Sequence, residues 1–113
     1  MDRKHGTIID NATVSNNQSD TTILHCHNHT NLKLFGETTN NIDLVVVGSN
    51  RENSADWYKV GTLVKSASHL TNNVFDTNSF DLVCDIVNPP PYIKIGNISG
   101  TNATGTTIHY TLH

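Results

Sequence analysis

The segment His25-Cys26-His27-Asn28-His29 gathers the densest set of potential metal ligands in the chain. On an extended strand, His25, His27 and His29 project to one face about 6.6 Å apart. Three nitrogens at that spacing cannot reach one zinc ion unless the strand bends. Two of them could share an ion, or a ring of them could do so about a symmetry axis. Neither a CxxC pair nor a second carboxylate accompanies the cluster, so a polar, solvent-facing strand is the simpler expectation and no metal or other cofactor is expected.

Cys26 points to the opposite face from these histidines, alongside Leu24, and Cys84 falls within an apolar stripe. Both thiols read as small buried hydrophobes, and a cytosolic origin argues against a disulfide between them. A nucleophilic cysteine needs a histidine base, a cleft and a positioned third group, and no such set is visible. Nor does any Ser/His/Asp spacing, phosphate-cradling glycine loop or paired carboxylate stand out, so no enzymatic activity is expected. The stretch Ser49–Asp56, with Asn50, Glu52, Asn53 and Asp56, has oxygens enough for calcium, but turns are built from the same residues and a turn is expected. Trp57 and Tyr58 adjoin it. Neighbours on a strand point oppositely, so one should face the core and the other solvent, with Trp57 the expected core anchor.

The elements that would carry these residues are strands. Short runs rich in Val, Ile and Thr recur every ten to fifteen residues with turn residues between them. We read strands at Gly6–Val14, Thr21–Asn28, Asn31–Gly36, Ile42–Gly48, Trp57–Ser66, Ser79–Val87, Tyr92–Ile98 and Thr106–Leu112. Ser15–Asp20, Ser49–Asp56 and Gly100–Gly105 are connectors, and Met1–His5 is a flexible tail. Phe80, Leu82, Cys84 and Ile86 alternate with Asp81, Val83, Asp85 and Val87, which assigns the first set to the core. Ile108, Tyr110 and Leu112 likewise face inward, with Thr107, His109 and Thr111 outward. Ile42–Val47 is apolar on both faces after Asp43, as a central strand covered from both sides would be. Pro89-Pro90-Pro91 cannot donate to a ladder and should connect two strands. No apolar run keeps a helical period. Eight such strands predict a single all-β domain, a two-sheet sandwich of the jelly-roll kind.

Composition excludes several function classes. The 113 residues carry a net charge of −3 with seven scattered Lys and Arg, which provides no field for gripping phosphates, so nucleic-acid binding is not expected. No apolar run has the length to cross a membrane, and the start lacks the apolar core of a signal peptide, so synthesis in a cytosol without export by the usual route is expected. Five Asn-x-Ser/Thr triplets begin at Asn11, Asn17, Asn28, Asn97 and Asn102. In a chain this rich in Asn and Thr they read as chance.

Three motifs carry a resemblance. Leu44-x-Val46-x-Gly48-Ser49-Asn50, then Trp57-Tyr58-Lys59-Val60, then Pro91-Tyr92-Ile93-Lys94-Ile95 with Ser99-Gly100-Thr101 are similar to small β-sandwich proteins of tailed-phage particles, which decorate heads or serve as modules of tails and fibres. The chain departs from the usual turn in having Arg51-Glu52 where Asp-Gly often follows. The same motifs are similar to discoidin-type carbohydrate- and lipid-binding sandwiches, whose extra N-terminal strands and spanning disulfide are absent here. The resemblance implies a virion structural protein made in the host cytoplasm, a capsid decoration or cement protein. It also implies a homotrimer, with the major capsid protein or other virion proteins as partners. The alternative it implies is a glycan-binding module of a tail or fibre, for which Trp57, Tyr58 and Tyr92 are the candidate aromatic platform. A third reading is a metal-binding sandwich built on the His25–His29 strand.

Overall fold

Alternation of buried and exposed side chains builds most of this molecule. The computed structural model describes residues 3–66, 69–76 and 81–113. Among them lie eleven strands and no helix: β1 (Lys4–Val14), β2 (Gln18–Ser19), β3 (Leu24–His25), β4 (Asn31–Glu37), β5 (Leu44–Ser49), β6 (Tyr58–Ser66), β7 (His69–Thr71), β8 (Val74–Asp76), β9 (Asp81–Val87), β10 (Tyr92–Asn97) and β11 (Ala103–Leu112). In β4, Leu32 and Leu34 are buried while Lys33 and Phe35 are exposed. In β9, Leu82, Cys84 and Ile86 are buried while Val83, Asp85 and Val87 are exposed, as expected; Phe80 lies outside the described residues.

All pairings are antiparallel and nested. The first strand pairs with the last (β1 with β11), β2 and β3 both pair with β10, β4 pairs with β9, and β5 pairs with β6. That is jelly-roll connectivity, with the two short strands β2 and β3 sharing one place. The strands follow one another as β1-β11-β4-β9-β6-β5-β10-β2. The sheet folds over at β6, whose first part pairs with β5 and whose end, Val64–Ser66, pairs with β9. We call β1-β11-β4-β9 with the end of β6 the front sheet, and the remainder the back sheet. Leu32, Leu34, Leu44, Val46, Leu63, Leu82, Ile93, Ile95, Ile108 and Leu112 fill the space between them. Each contributes about 1.5–3 kcal/mol by leaving water. Leu44, Val45 and Val46 are all buried, so β5 is covered on both faces as expected.

Several boundaries differ from the expected ones. Lys4 and His5 are not a tail: they pair with Leu112 and Thr111 in β1. The expected strand Thr21–Asn28 survives only as Leu24–His25, because the Asp20 carboxylate accepts from Thr22 N–H and Asn28 adopts a left-handed backbone. The last strand begins at Ala103 and absorbs much of the expected turn. Tyr110 packs against the core only in part. Thr111, on the outer face, is nonetheless covered, standing between His5 and Lys33 in the ladder. The hairpin β7–β8 falls where no strand was expected. Its turn residues Asn72 and Asn73 both have positive φ, the geometry of the tightest hairpin connection.

Asparagine explains itself in this fold. Among the described residues, every non-glycine residue with positive φ is an asparagine: Asn11, Asn17, Asn28, Asn72, Asn73 and Asn88, with φ between 45° and 64°. Left-handed backbone costs most L-residues about 1–2 kcal/mol, and Asn offsets this by bonding locally. Other asparagines tie loops together. Asn97 is fully buried; its amide donates to Val14 O (2.9 Å) and Thr101 O (2.7 Å), and its oxygen accepts from Ser99 N–H and Oγ. Asn16 N–H donates to the Asn102 side chain, and Gly100 N–H donates to the Asn16 side chain. These bonds fasten the end of β1 to the β10–β11 turn.

Candidate functional site

The histidine segment does not form a ligand set. His25 and His27 are exposed and Leu24 and Cys26 buried, as alternation requires. Cys26 N–H donates to Pro91 O (2.8 Å), holding the segment against β10 just past β3. The chain then turns at Asn28, so that His29 bonds through Nδ1 to His27 O (2.8 Å) instead of joining the other two imidazoles. His25 and His27 pack nearly perpendicular to Tyr92 at 5.2 and 5.0 Å, and His25 Nε2 lies 3.6 Å from Glu52 Oε1. Among the described residues, no three His, Cys, Asp or Glu side chains are grouped to hold a metal. Bending at Asn28 sends His29 away, while His25 and His27 stay side by side with ring centroids 6.3 Å apart.

Both thiols are buried and unpaired by a disulfide. Burial pushes the Cys26 thiol up to about 12, and burial raises Cys84 too, against a hydrogen bond from the Thr62 backbone. Burial that disfavours the thiolate makes both thiols less reactive than a free cysteine.

The turn Ser49–Asp56 is tied by its two serine hydroxyls, as turns commonly are. Ser49 Oγ accepts from Arg51 N–H (3.2 Å), and Ser54 Oγ accepts from Asp56 N–H (3.0 Å) while donating to Asp56 O (2.9 Å). Trp57 is not a core anchor. It is half-buried ahead of β6, donates Nε1–H to Ser54 O (2.9 Å), and carries the Lys94 ammonium 4.4 Å from its ring centroid. An ammonium over indole is a cation–π contact, so this Trp braces the loop against β10. Of the three candidate platform aromatics, Tyr92 is flanked by two imidazoles, Trp57 is covered by Lys94, and Tyr58 stands 69% exposed. Tyr58 walls an open hollow of about 380 Å³ with Asn50, Arg51, Asp56, Val60 and Pro90. Gly48 shapes its floor: any side chain there would run into the Pro90 ring.

A second surface lies on the front sheet. Thr7, His109, Phe35, Val83 and Val64 stand directly opposite one another on β1, β11, β4, β9 and β6, forming one continuous row across the outer face. Phe35 is 39%, Val83 38% and Val64 52% exposed. His109 accepts or donates at Nδ1 with Thr7 Oγ1 (3.0 Å) and its ring lies 5.5 Å from that of Phe35. Polar rows flank this one: His5, Thr111, Lys33 and Asp85 on one side, Thr107, Glu37 and Asp81 on the other. A hollow of about 400 Å³ opens between Phe35, Glu37, Asp81 and His109. The alternation of Lys33, Phe35 and Glu37 against Leu32 and Leu34 is visible in the sequence. That four further strands align their outward residues with Phe35 is a matter of register, which the sequence does not display.

No protein-family model matches the chain, and neither a curated protein nor a solved structure matches it significantly.

Proposed function

We propose that this chain is a non-enzymatic structural protein of a virus particle, a decoration or cement module that works by lying against other proteins. The observation that carries the reading is the exposed row Thr7–His109–Phe35–Val83–Val64, a contact surface five strands wide on a small sandwich. Apolar side chains left half in water gain when a partner covers them, which is the mark of an assembly surface. Jelly-roll connectivity is used by viral capsid and lectin domains alike, so the fold is compatible with the role without assigning it. The phage resemblance of the Gly48-Ser49-Asn50 turn and the Tyr92 strand supplies the particle, and the major capsid protein is the partner it points to. The loops and the outer face of the back sheet, where Lys59 and Lys94 flank Val47, would grip the shell and leave the front-sheet row for another copy of the chain.

The test is to mix the purified chain with expanded capsid shells of the virus that encodes it. It should cosediment with them and raise their rupture temperature, because a ligand of the assembled state stabilises that state by mass action, about 2.7 kcal/mol per site at a hundredfold excess over Kd. A chain that leaves both quantities unchanged is not a cement protein.

A second reading, a glycan-binding module of a tail or fibre, is favoured by the hollow at Tyr58. An exposed ring and Pro90 offer an apolar wall to a sugar face, and Asn50, Arg51 and Asp56 surround it with donors and acceptors. Glycan-array binding abolished by Tyr58→Ala, without affinity for shells, would establish this reading in place of the first.

A further inference from the structure

We propose that the outer face of the front sheet receives a second copy of this chain, two copies stacking face to face about a two-fold axis along the Thr7–His109–Phe35–Val83–Val64 row. The proposal rests on the assembly reading above for its setting, and on the strand register for its geometry. An isologous interface must be its own complement. In β4, Lys33 lies two residues before Phe35 and Glu37 two residues after it, and all three side chains are exposed. An axis within about 15° of the row sets the two β4 strands antiparallel, at the roughly 30° of aligned sheet packing. Each Phe35 then meets its mate, and each Lys33 lies over Glu37 of the other copy. An axis parallel to the strands would instead lay Lys33 on Lys33 and Glu37 on Glu37, so charge selects between the two. Among the described residues, neither Lys33 nor Glu37 has an ion-pair partner within the chain.

Two observations set the strength. Asp81 and Asp85 flank Val83 as Glu37 and Lys33 flank Phe35, so each meets the other's mate and repels it. Five strands about 4.8 Å apart and some seven residues of about 3.4 Å make a face of roughly 24 by 24 Å, burying on the order of 1,000 Å² in all, at the low end for specific interfaces. The pair is therefore a weak, reversible one that forms at the high local concentrations of an assembling particle.

Sedimentation of the full chain between about 1 µM and 1 mM tests this. A monomer–dimer equilibrium is expected. Lys33→Glu, which replaces the one Lys of these flanking rows with a fourth carboxylate, should raise the dimer dissociation constant by about tenfold or more. The double variant Lys33→Glu/Glu37→Lys should restore it to within about threefold. Circular dichroism melts of the variants verify that these exposed changes leave the fold intact. A monomer throughout, the trimer that the phage resemblance implies, a dimer indifferent to Lys33→Glu, or a double variant that fails to recover would each overturn the proposal. Shell binding by a strictly monomeric chain would sink the dimer and leave the function standing; a dimer without affinity for shells would do the reverse.

Discussion

Six left-handed positions filled by Asn, and a buried Asn97 with both amide hydrogens donated, give the unusual composition a structural cause. They also bear on the glycosylation triplets: a fully buried Asn97 offers no amide for a sugar in the folded chain. Cys26 carries a pH dependence. Its proton leaves near 9 in the unfolded chain and near 12 in the folded one, so the folded state holds the proton more tightly. Stability is then full below about pH 9 and falls as pH rises from there towards 12, by about 1.4 kcal/mol per pH unit, with Cys84 acting in the same direction. Urea midpoints at pH 8 and pH 10 should differ by less in Cys26→Ala than in the parent. Equal drops would show that the thiol contributes nothing. At this scale the burial of Cys26 beside outward His25 and His27 was legible, because alternation needs only the strand. The turning away of His29 was not, because it depends on a left-handed Asn28 that strand periodicity does not signal.

Strands with their own pattern were legible, and strands defined by a distant partner were not. β9 and β5 announce themselves by alternation and by a two-faced apolar run. β2 and β3 are two residues each and exist only because β10 offers them its edge. The β7–β8 hairpin was missed although Asn72-Asn73 sits between Leu70 and Val74, a turn signal of the kind hairpins use. The bend in β6 was invisible, since it comes from one strand serving both β5 and β9. Leu82→Asp or Ile86→Asp puts a carboxylate between the sheets, at side chains 0% and 8% exposed. Either should cost several kcal/mol, a large share of the stability of a domain this size, and lower the urea midpoint steeply or prevent folding. Asp85→Ser, outward on the same strand, should stay within about 0.5 kcal/mol of the parent. Similar losses at both kinds of position would contradict the inward and outward assignment.

At the scale of the molecule, an all-β sandwich of jelly-roll type was legible from strand number and spacing, whereas the chemistry of its two faces was not. A front sheet with an apolar ridge between polar rows emerges only once β4, β9 and β11 are set in register, and a back sheet with Lys59, Lys94 and a braced Trp57 only once β5, β6 and β10 are. The nested pairing has a consequence for how the chain comes into being. Lys4 finds its partner in Leu112, so β1 waits for β11. The front sheet cannot join β1 to β4 until β11 has left the ribosome, and nascent chains must carry those two strands unpaired on that side through most of translation. Such non-local topology folds slowly, on the order of milliseconds to seconds. A chain cut after residue 102 should accordingly give a random-coil circular dichroism spectrum and aggregate, while adding residues 103–113 back as a separate peptide should restore strand signal. A truncated chain that folds unaided would mean that β4 to β10 make an autonomous unit and that the closing strand arrives as an ornament rather than a keystone.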